Sequence, residues 1–350
     1  MTTSAQRDVR VFGLVLPLLL VAGAAAGFLS LFVGAADQSP AQVLGALADG
    51  ARALVTGEPH PTDALHTIVL NLRLPRLLLA ALVGVCLALS GAVMQALFQN
   101  PMADPYIVGV SSGSGLGAVV AMMLAVPLAF LGLVTVPVFA FAGGAGIVLM
   151  VYVLSQRAGR VHTATLLLTG IAVGSLVAAA TSFLLLVMEQ DLRGVLFWLL
   201  GGLSGRGWTH VAMIAPQAAV GLVACLVAVR PLNLLLLGED TAASLGLDVS
   251  RTKRWLLALS SLLAAGAVAV GGIIAFVGLV VPHITRLLVG PDHRHLLPVA
   301  AASGALLMVL ADIAARILLS PTELPIGIIT SALGCPFFLY LLRKQGGRGL

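Results

Sequence analysis

Gly109-Val110-Ser111-Ser112-Gly113 has the G-x-S-x-G spacing of the strained elbow that presents a nucleophilic serine. That chemistry needs a preceding strand together with histidine and acidic partners, whereas here glycine and serine open a long apolar run. The segment therefore reads as a helix start that permits close approach, not as a hydrolytic centre. A phosphate-cradling loop would need GxxxxGK[ST]. The two lysines, Lys253 after Thr252 and Lys344 after Arg343, exclude it, so any ATP hydrolysis must come from another chain. Asp312 and Arg316 stand one helical turn apart, the spacing of an i,i+4 ion pair. In so apolar a chain Asp312 is also the one carboxylate placed to act as a proton carrier. His283 follows Pro282 and reads as a packing histidine. Cys86, Cys225 and Cys335 sit singly inside apolar runs, which supports neither a disulfide framework nor a zinc site. No cluster of Cys, His or carboxylate residues has metal-ligand spacing.

The elements that must position these residues follow from composition. With 59% hydrophobic and 9% charged residues and a mean hydropathy of +1.08, the chain cannot cover a soluble globule with polar side chains. It is predicted to be an all-α integral membrane protein forming one domain over residues 1–350. The net charge of +5 is spread over short connections, which argues for membrane topology and against nucleic acid. At about 20 apolar residues per span, the uncharged runs give ten. They cover 11–36 and 77–98, two within 106–154 with Pro127 and Pro137 marking the turn, then 166–187 and 211–229. Two short helices meeting at Gly271-Gly272 within 255–289 follow, then 296–319 and 326–342. The piece 195–203 is too short to cross.

The positive-inside rule orients the set. Arg7, Arg10, Arg157, Arg160, Arg230, Arg251, Lys253, Arg254, Arg286, Arg294, Arg343, Lys344 and Arg348 fall on one side; Arg52, Arg73, Arg76, Arg193, Arg206 and Arg316 fall on the other. Both termini are thus expected in the cytoplasm, and the first run, continuing to Ala36, reads as an uncleaved anchor. Gly91, Pro101 and Gly109 recur as Gly272, Pro282 and Gly290 at one offset, which suggests an inverted internal repeat. Gly113 to Gly117 and Gly170 to Gly174 have the small-xxx-small spacing of packed membrane helices.

Two polar stretches stand out from this background. Residues 91–105, bracketed by proline, place irregular backbone inside an apolar chain, which is tolerated only where it is buried in protein or lines a water-filled path. Residues 230–254 form the most polar cytoplasmic connection, with short helices predicted at 232–237 and 241–247 around Gly238. Glu239 and Asp240 stand just ahead of the second, where the partial positive charge of a helix amino end favours acids, and Gly246 supplies a stop.

Arg73-Leu74-Pro75-Arg76, Ser90 to Gln95, Asn100-Pro101-Met102-Ala103-Asp104-Pro105, Gly238-Glu239 with 243–246, Phe276 to His283, and Glu323-Leu324-Pro325-Ile326-Gly327 together resemble the FecCD family. These are the membrane permeases of ABC importers for iron chelates, haem and cobalamin. The resemblance implies a type II importer: a ten-helix permease in the inner (cytoplasmic) membrane, paired as a homodimer around a central translocation path. Two ATPase subunits would bind below, and a periplasmic or lipid-anchored binding protein would dock above. It implies that Arg73, Arg76 and Arg316 are outward-facing docking residues for that protein. Gly238, Glu239, Asp240, Ala243, Leu245 and Gly246 would couple to the ATPase, and Asn100, Met102, Thr163 and Ala164 would form the cytoplasmic gate. It implies no cofactor on this chain, with ATP and Mg held by the ATPase. An iron chelate, ferric siderophore or haem, is the expected cargo, with cobalamin the alternative. A stand-alone secondary transporter using Asp312 is the competing class.

Overall fold

A computed structural model describes residues 2–34, 38–57, 63–123, 132–157, 160–161, 163–188 and 192–346. Ala36, Pro127 and Arg348, used in the span count, lie outside them. Helix α1 (Thr2–Phe32) is followed by α2 (Pro40–Thr56), a segment the hydropathy count passes over. Its start is written locally: Ser39 and Gln42 form a capping box around Pro40, and Gly57 ends the helix at φ +75. Its buried Val43 and Ala46 form a small cluster with Leu31, Val69 and Leu70. The short α3 (Ala64–His66) runs through a π-helical stretch, Thr67–Arg73, into α4 (Leu74–Leu97).

Then come α5 (Val110–Met123), α6 (Thr135–Ser155), a two-stranded hairpin of β1 (Gln156–Arg157) and β2 (Arg160–Val161), α7 (Thr163–Val187) and the eight-residue α8 (Leu192–Leu199). Helices α9 (Trp208–Val227), α10 (Val229–Leu235), α11 (Glu239–Ser244), α12 (Val249–Gly271), α13 (Val277–Val289), α14 (His293–Ile317) and α15 (Ile326–Gly346) complete the chain. Seven helical stretches among the described residues are long and apolar enough to cross a membrane, and α5, α13 and the 326–341 part of α15 supply three shorter apolar ones.

The centre is α4, packed against α12, α13 and α14. Its close crossings rest on two glycine pairs. A Cβ on Gly91 would run into the Gly278 backbone, and one on Gly84 into Gly304. Backbones this close gain dispersion contact that larger residues would forbid. Three of the four spaced glycines behave alike: Gly113 and Gly117 of α5 abut backbone of α6, and Gly170 of α7 abuts Ile107, whereas Gly174 meets only the Ser112 side chain at ordinary contact distance. At the periphery, the apolar window of α7 is only 17% buried, against 72% for that ending in α4. Its remaining surface is left for lipid or for another chain.

Several expectations need correction. The break at Gly271-Gly272 is present, but α12 before it is a full 23 residues, so only α13 is short. Pro137 sits in the first turn of α6, where its missing N–H costs nothing, and not in the turn before it. The short helices of the polar connection lie at Val229–Leu235 and Glu239–Ser244, a few residues upstream of the expected bounds. The three residues matched at one offset do not occupy equivalent places. Gly91 is buried inside α4 whereas Gly272 ends α12, and Pro101 lies in a connection whereas Pro282 is inside α13. Only Gly109 and Gly290, both at positive φ, share a role as helix ends. What recurs is the order of elements: α4 to α7 and α12 to α15 each run long, short, long, long.

Candidate functional site

Three places among the described residues bear on the expected site, and the first is the centre. Helix α4 closes with Gln99 in the left-handed region, φ +49, while Asn100 N–H reaches the Gln95 carbonyl and Gln99 N–H that of Ala96. This is the hydrogen-bond pattern of a Schellman stop, made here without glycine. The chain then turns at Asn100, whose Oδ1 accepts from Met102 N–H at 2.9 Å. It returns through Asp104, which caps the 3-10 turn Pro105–Val108. Pro105 lies against Gly278, which in turn approaches the Leu87 carbonyl midway along α4. Tyr106 donates its hydroxyl to the carbonyl of Ile274, in the second irregular segment, at 3.0 Å. The second interruption thus finds a donor in the first, since polar backbone at membrane depth must be satisfied within the protein.

The second place is the end of the bundle carrying α11. Gly238, at φ +95, starts that helix, and Glu239 and Asp240 occupy its first turn. It stops by bonds from Gly246 N–H to Ala243 and from Leu247 N–H to Ala242, with Gly246 at φ +86. Ala242 is buried, so the helix is anchored by one face. Lys253 of α12 forms an ion pair with Glu239 and reaches Thr163 Oγ1 at 3.2 Å, at the first residue of α7. A cavity of about 420 Å³ opens here, lined by Leu97, Phe98, Thr163, Asp240, Ala243 and Lys253 among others. Glu239, Asp240 and Ala243 of the expected coupling set share its lining with Thr163 of the expected gate. Among the described residues no hydrogen bond joins Asn100 or Met102 to Thr163.

The third place is the opposite end, beside α2. Arg73 is 7% exposed and donates to the Leu31 carbonyl at 2.7 Å. The Arg316 side chain is 6% exposed and donates to the carbonyls of Ser30 and Val33 at 3.0 and 2.6 Å. The last carbonyls of a helix have no partner within it, and these two guanidiniums supply donors to those of α1. Arg76, 13% exposed at its side chain, pairs with Asp312 and with Glu323, each at 2.8 Å. Asp312 also meets Arg316 at 3.1 Å, the i,i+4 pair expected from spacing. Burial raises the Glu323 carboxyl, but the hydrogen bond and charge of Arg76, aided by Ser204 and Arg316, outweigh it and leave the group below its usual range. All three arginines, expected as docking residues, bond this chain's own groups. Their partners are the orphan carbonyls of α1, the buried carboxylate of Asp312 and the partly exposed one of Glu323.

Sequence reasoning missed Glu323, whose match to a motif carried no role, and Lys253, which was used only to exclude a phosphate loop and to orient the chain.

A family profile described as the FecCD transport family matches residues 19–344. The chain belongs to the FecCD transport family. Among its relatives, the cobalamin import system permease protein BtuC of Halobacterium salinarum is 48% identical over 288 residues, covering 82% of this chain and 76% of that one. The hemin transport system permease protein HmuU of Yersinia pestis is 44% identical over 290 residues, covering 81% and 85%. A solved inward-facing metal-chelate type ABC transporter superposes with a TM-score of 0.81 at 31% identity, over 94% of this chain and 99% of that one. This FecCD member is therefore a multi-pass permease subunit of an ABC importer and is not itself a catalyst. The GxSxG spacing in it is incidental: its serine position, Ser111, is the second residue of α5, and a 3-10 turn, not a strand, leads into it.

Proposed function

We propose that the chain is the translocating half of an importer for an iron chelate, a ferric siderophore or haem, in the cytoplasmic membrane, with both termini in the cytoplasm. The ten apolar helices α1, α4, α5, α6, α7, α9, α12, α13, α14 and α15 are its spans. The repeated long, short, long, long order supports an inverted repeat, since the basic-residue bias has α4 and α12 entering from opposite sides. The thinly buried α7 supports pairing of two copies around a central path. Two ATPase subunits bind at the α11 end and a binding protein docks at the α2 end. Of the three arginines, Arg76 is the least buried, and a docking carboxylate would compete there with Glu323.

The observation that carries this reading is the chain of contacts from Glu239 through Lys253 to Thr163. A push on α11 by an ATPase is passed by that pair to the first residue of a spanning helix, where the gate residues Thr163 and Ala164 lie. The inward-facing metal-chelate transporter supports the cargo class, and the Halobacterium relative named for cobalamin supports a second reading in which cobalamin is carried.

The test is to purify the tagged chain from its native membrane, assay for a stoichiometric ATPase, and measure ATP-dependent uptake of ferric hydroxamate, haem and cobalamin in proteoliposomes with the cognate binding protein. Elution without an ATPase under gentle conditions would reject the importer mechanism, and uptake of cobalamin alone would select the second cargo.

A further inference from the structure

A cavity of about 690 Å³ opens at the α2 end, between α8, the connection to α9 and the segment leading into α15. Its charged lining is Arg76, Arg193, Arg206 and Glu323. The carboxylate is already taken by Arg76 at 2.8 Å. Arg193 and Arg206 have no acidic partner among the described residues. Arg193 lies over the Phe197 ring at 5.6 Å, and Arg206 Nη1 stands 3.2 Å from His210 Nε2 while its buried Nε has no hydrogen-bond partner. Trp198, 7% exposed, lines the same cavity with its indole Nε1 buried and also unpartnered. An indole N–H and a guanidinium can only donate. The spare capacity of these side chains is therefore all donor, beside aromatic and aliphatic surface from Phe197, Leu203 and Ile326. Such a lining matches an acceptor-rich anion carried on a flat apolar body.

We propose that this cavity receives the carboxylate groups of the cargo, so that the importer takes a carboxylate-bearing iron chelate, with Arg193 and Arg206 as paired receptors and Trp198 Nε1 as a third donor. The inference rests on the importer reading. Charge-assisted bonds from guanidinium to carboxylate are the strong class, and planar forks give them direction. A chelate without carboxylates gains only the apolar walls.

The experiment uses the full chain with its co-purified ATPase in lipid nanodiscs, with empty nanodiscs as the blank for partition into lipid. Haem is compared with haem dimethyl ester, and ferric citrate with a ferric trishydroxamate lacking carboxylates. The acid forms are expected to bind more tightly than their counterparts. The double variant R193Q/R206Q should weaken them about tenfold or more, the loss of one good charged contact, and leave the counterparts unchanged. R193K/R206K, which keeps the charge, should retain part of the preference, and this separates a lost receptor from a damaged fold. Equal binding of acid and ester together with equal binding of the two ferric chelates, or undiminished binding by the Gln pair, overturns the proposal. ATP turnover is read in the same samples. A complex that turns over ATP but shows no acid preference rejects this inference alone, whereas a chain without an ATPase rejects the importer reading and this inference with it.

Discussion

Tyr106 and Ile274, 168 residues apart, are joined by a single hydrogen bond of 3.0 Å that runs from the hydroxyl of one helix interruption to the carbonyl of the other. The first interruption bonds largely within itself through Asn100 and Asp104, whereas the Ile274 carbonyl of the second has left helical geometry and takes its donor from Tyr106. The short helices α5 and α13 follow these segments, so their relative placement depends on that bond.

Tyr106→Phe should therefore destabilise the permease by about 1–3 kcal/mol, the cost of an unsatisfied buried acceptor. Thermal unfolding in detergent, followed by size-exclusion chromatography, reads this directly. A midpoint equal to wild type would show that the carbonyl finds another donor.

Gly91→Ala should abolish a monodisperse product, because the added methyl meets backbone of Gly278 and not a flexible side chain. Gly146→Ala is the matched control. No heavy atom lies within 4 Å of its new Cβ, and helix propensity should leave stability within about 1 kcal/mol of wild type or better. Equal tolerance of both would disprove the close crossing.

Asp312→Asn removes the carboxylate shared by Arg76 and Arg316 and should cost about 3–5 kcal/mol, as breaking buried pairs does. Adding Arg76→Gln to that variant should cost less than the sum of the two single changes. Uptake per surviving folded complex should be only modestly reduced. Its abolition with stability intact would favour a proton carrier.

Glu323 is held below its ordinary value of 4.5, so its contribution is present above that pH and is lost as pH falls through the lowered folded value. Glu323→Gln should be less stable than wild type at pH 7, and the gap should close as pH falls below about 4.5. A gap independent of pH between 7 and 3 would mean that the ion pair with Arg76 contributes nothing.

Lys253→Ala cuts the link from Glu239 to Thr163. ATP turnover by the complex should persist while cargo moved per ATP falls roughly tenfold, within the usual range of coupling energies. Full uptake efficiency would move the coupling route elsewhere.

Much of this was legible beforehand. Hydropathy located the apolar helices because each needs about 20 apolar residues in a row. Local chemistry marked the start and stop of α11, through Glu239, Asp240 and Gly246, and the i,i+4 spacing marked Asp312 with Arg316. What escaped was long-range. Arg76 meets Glu323 across 247 residues and Asp312 across 236, and no local pattern encodes such pairings. Helix α2 escaped for another reason: its apolar residues cover only one face, so a count of uncharged runs skips it. The bonding of Arg73 and Arg316 to α1 was hidden because spacing reports which residues share a side, not whether a nearby helix end has carbonyls to be filled.

The bonds that close the carboxyl end of α1 carry a consequence for synthesis. Arg73 is made 42 residues after Leu31, but Arg316 is made 286 residues after Ser30. Helix α1 therefore waits until Arg316 has been made before its last carbonyls are all covered. Chains truncated ahead of Arg316 should keep that end open to cleavage by an added protease, which chains containing Arg316 resist, so premature termination yields a product that quality control can recognise at α1.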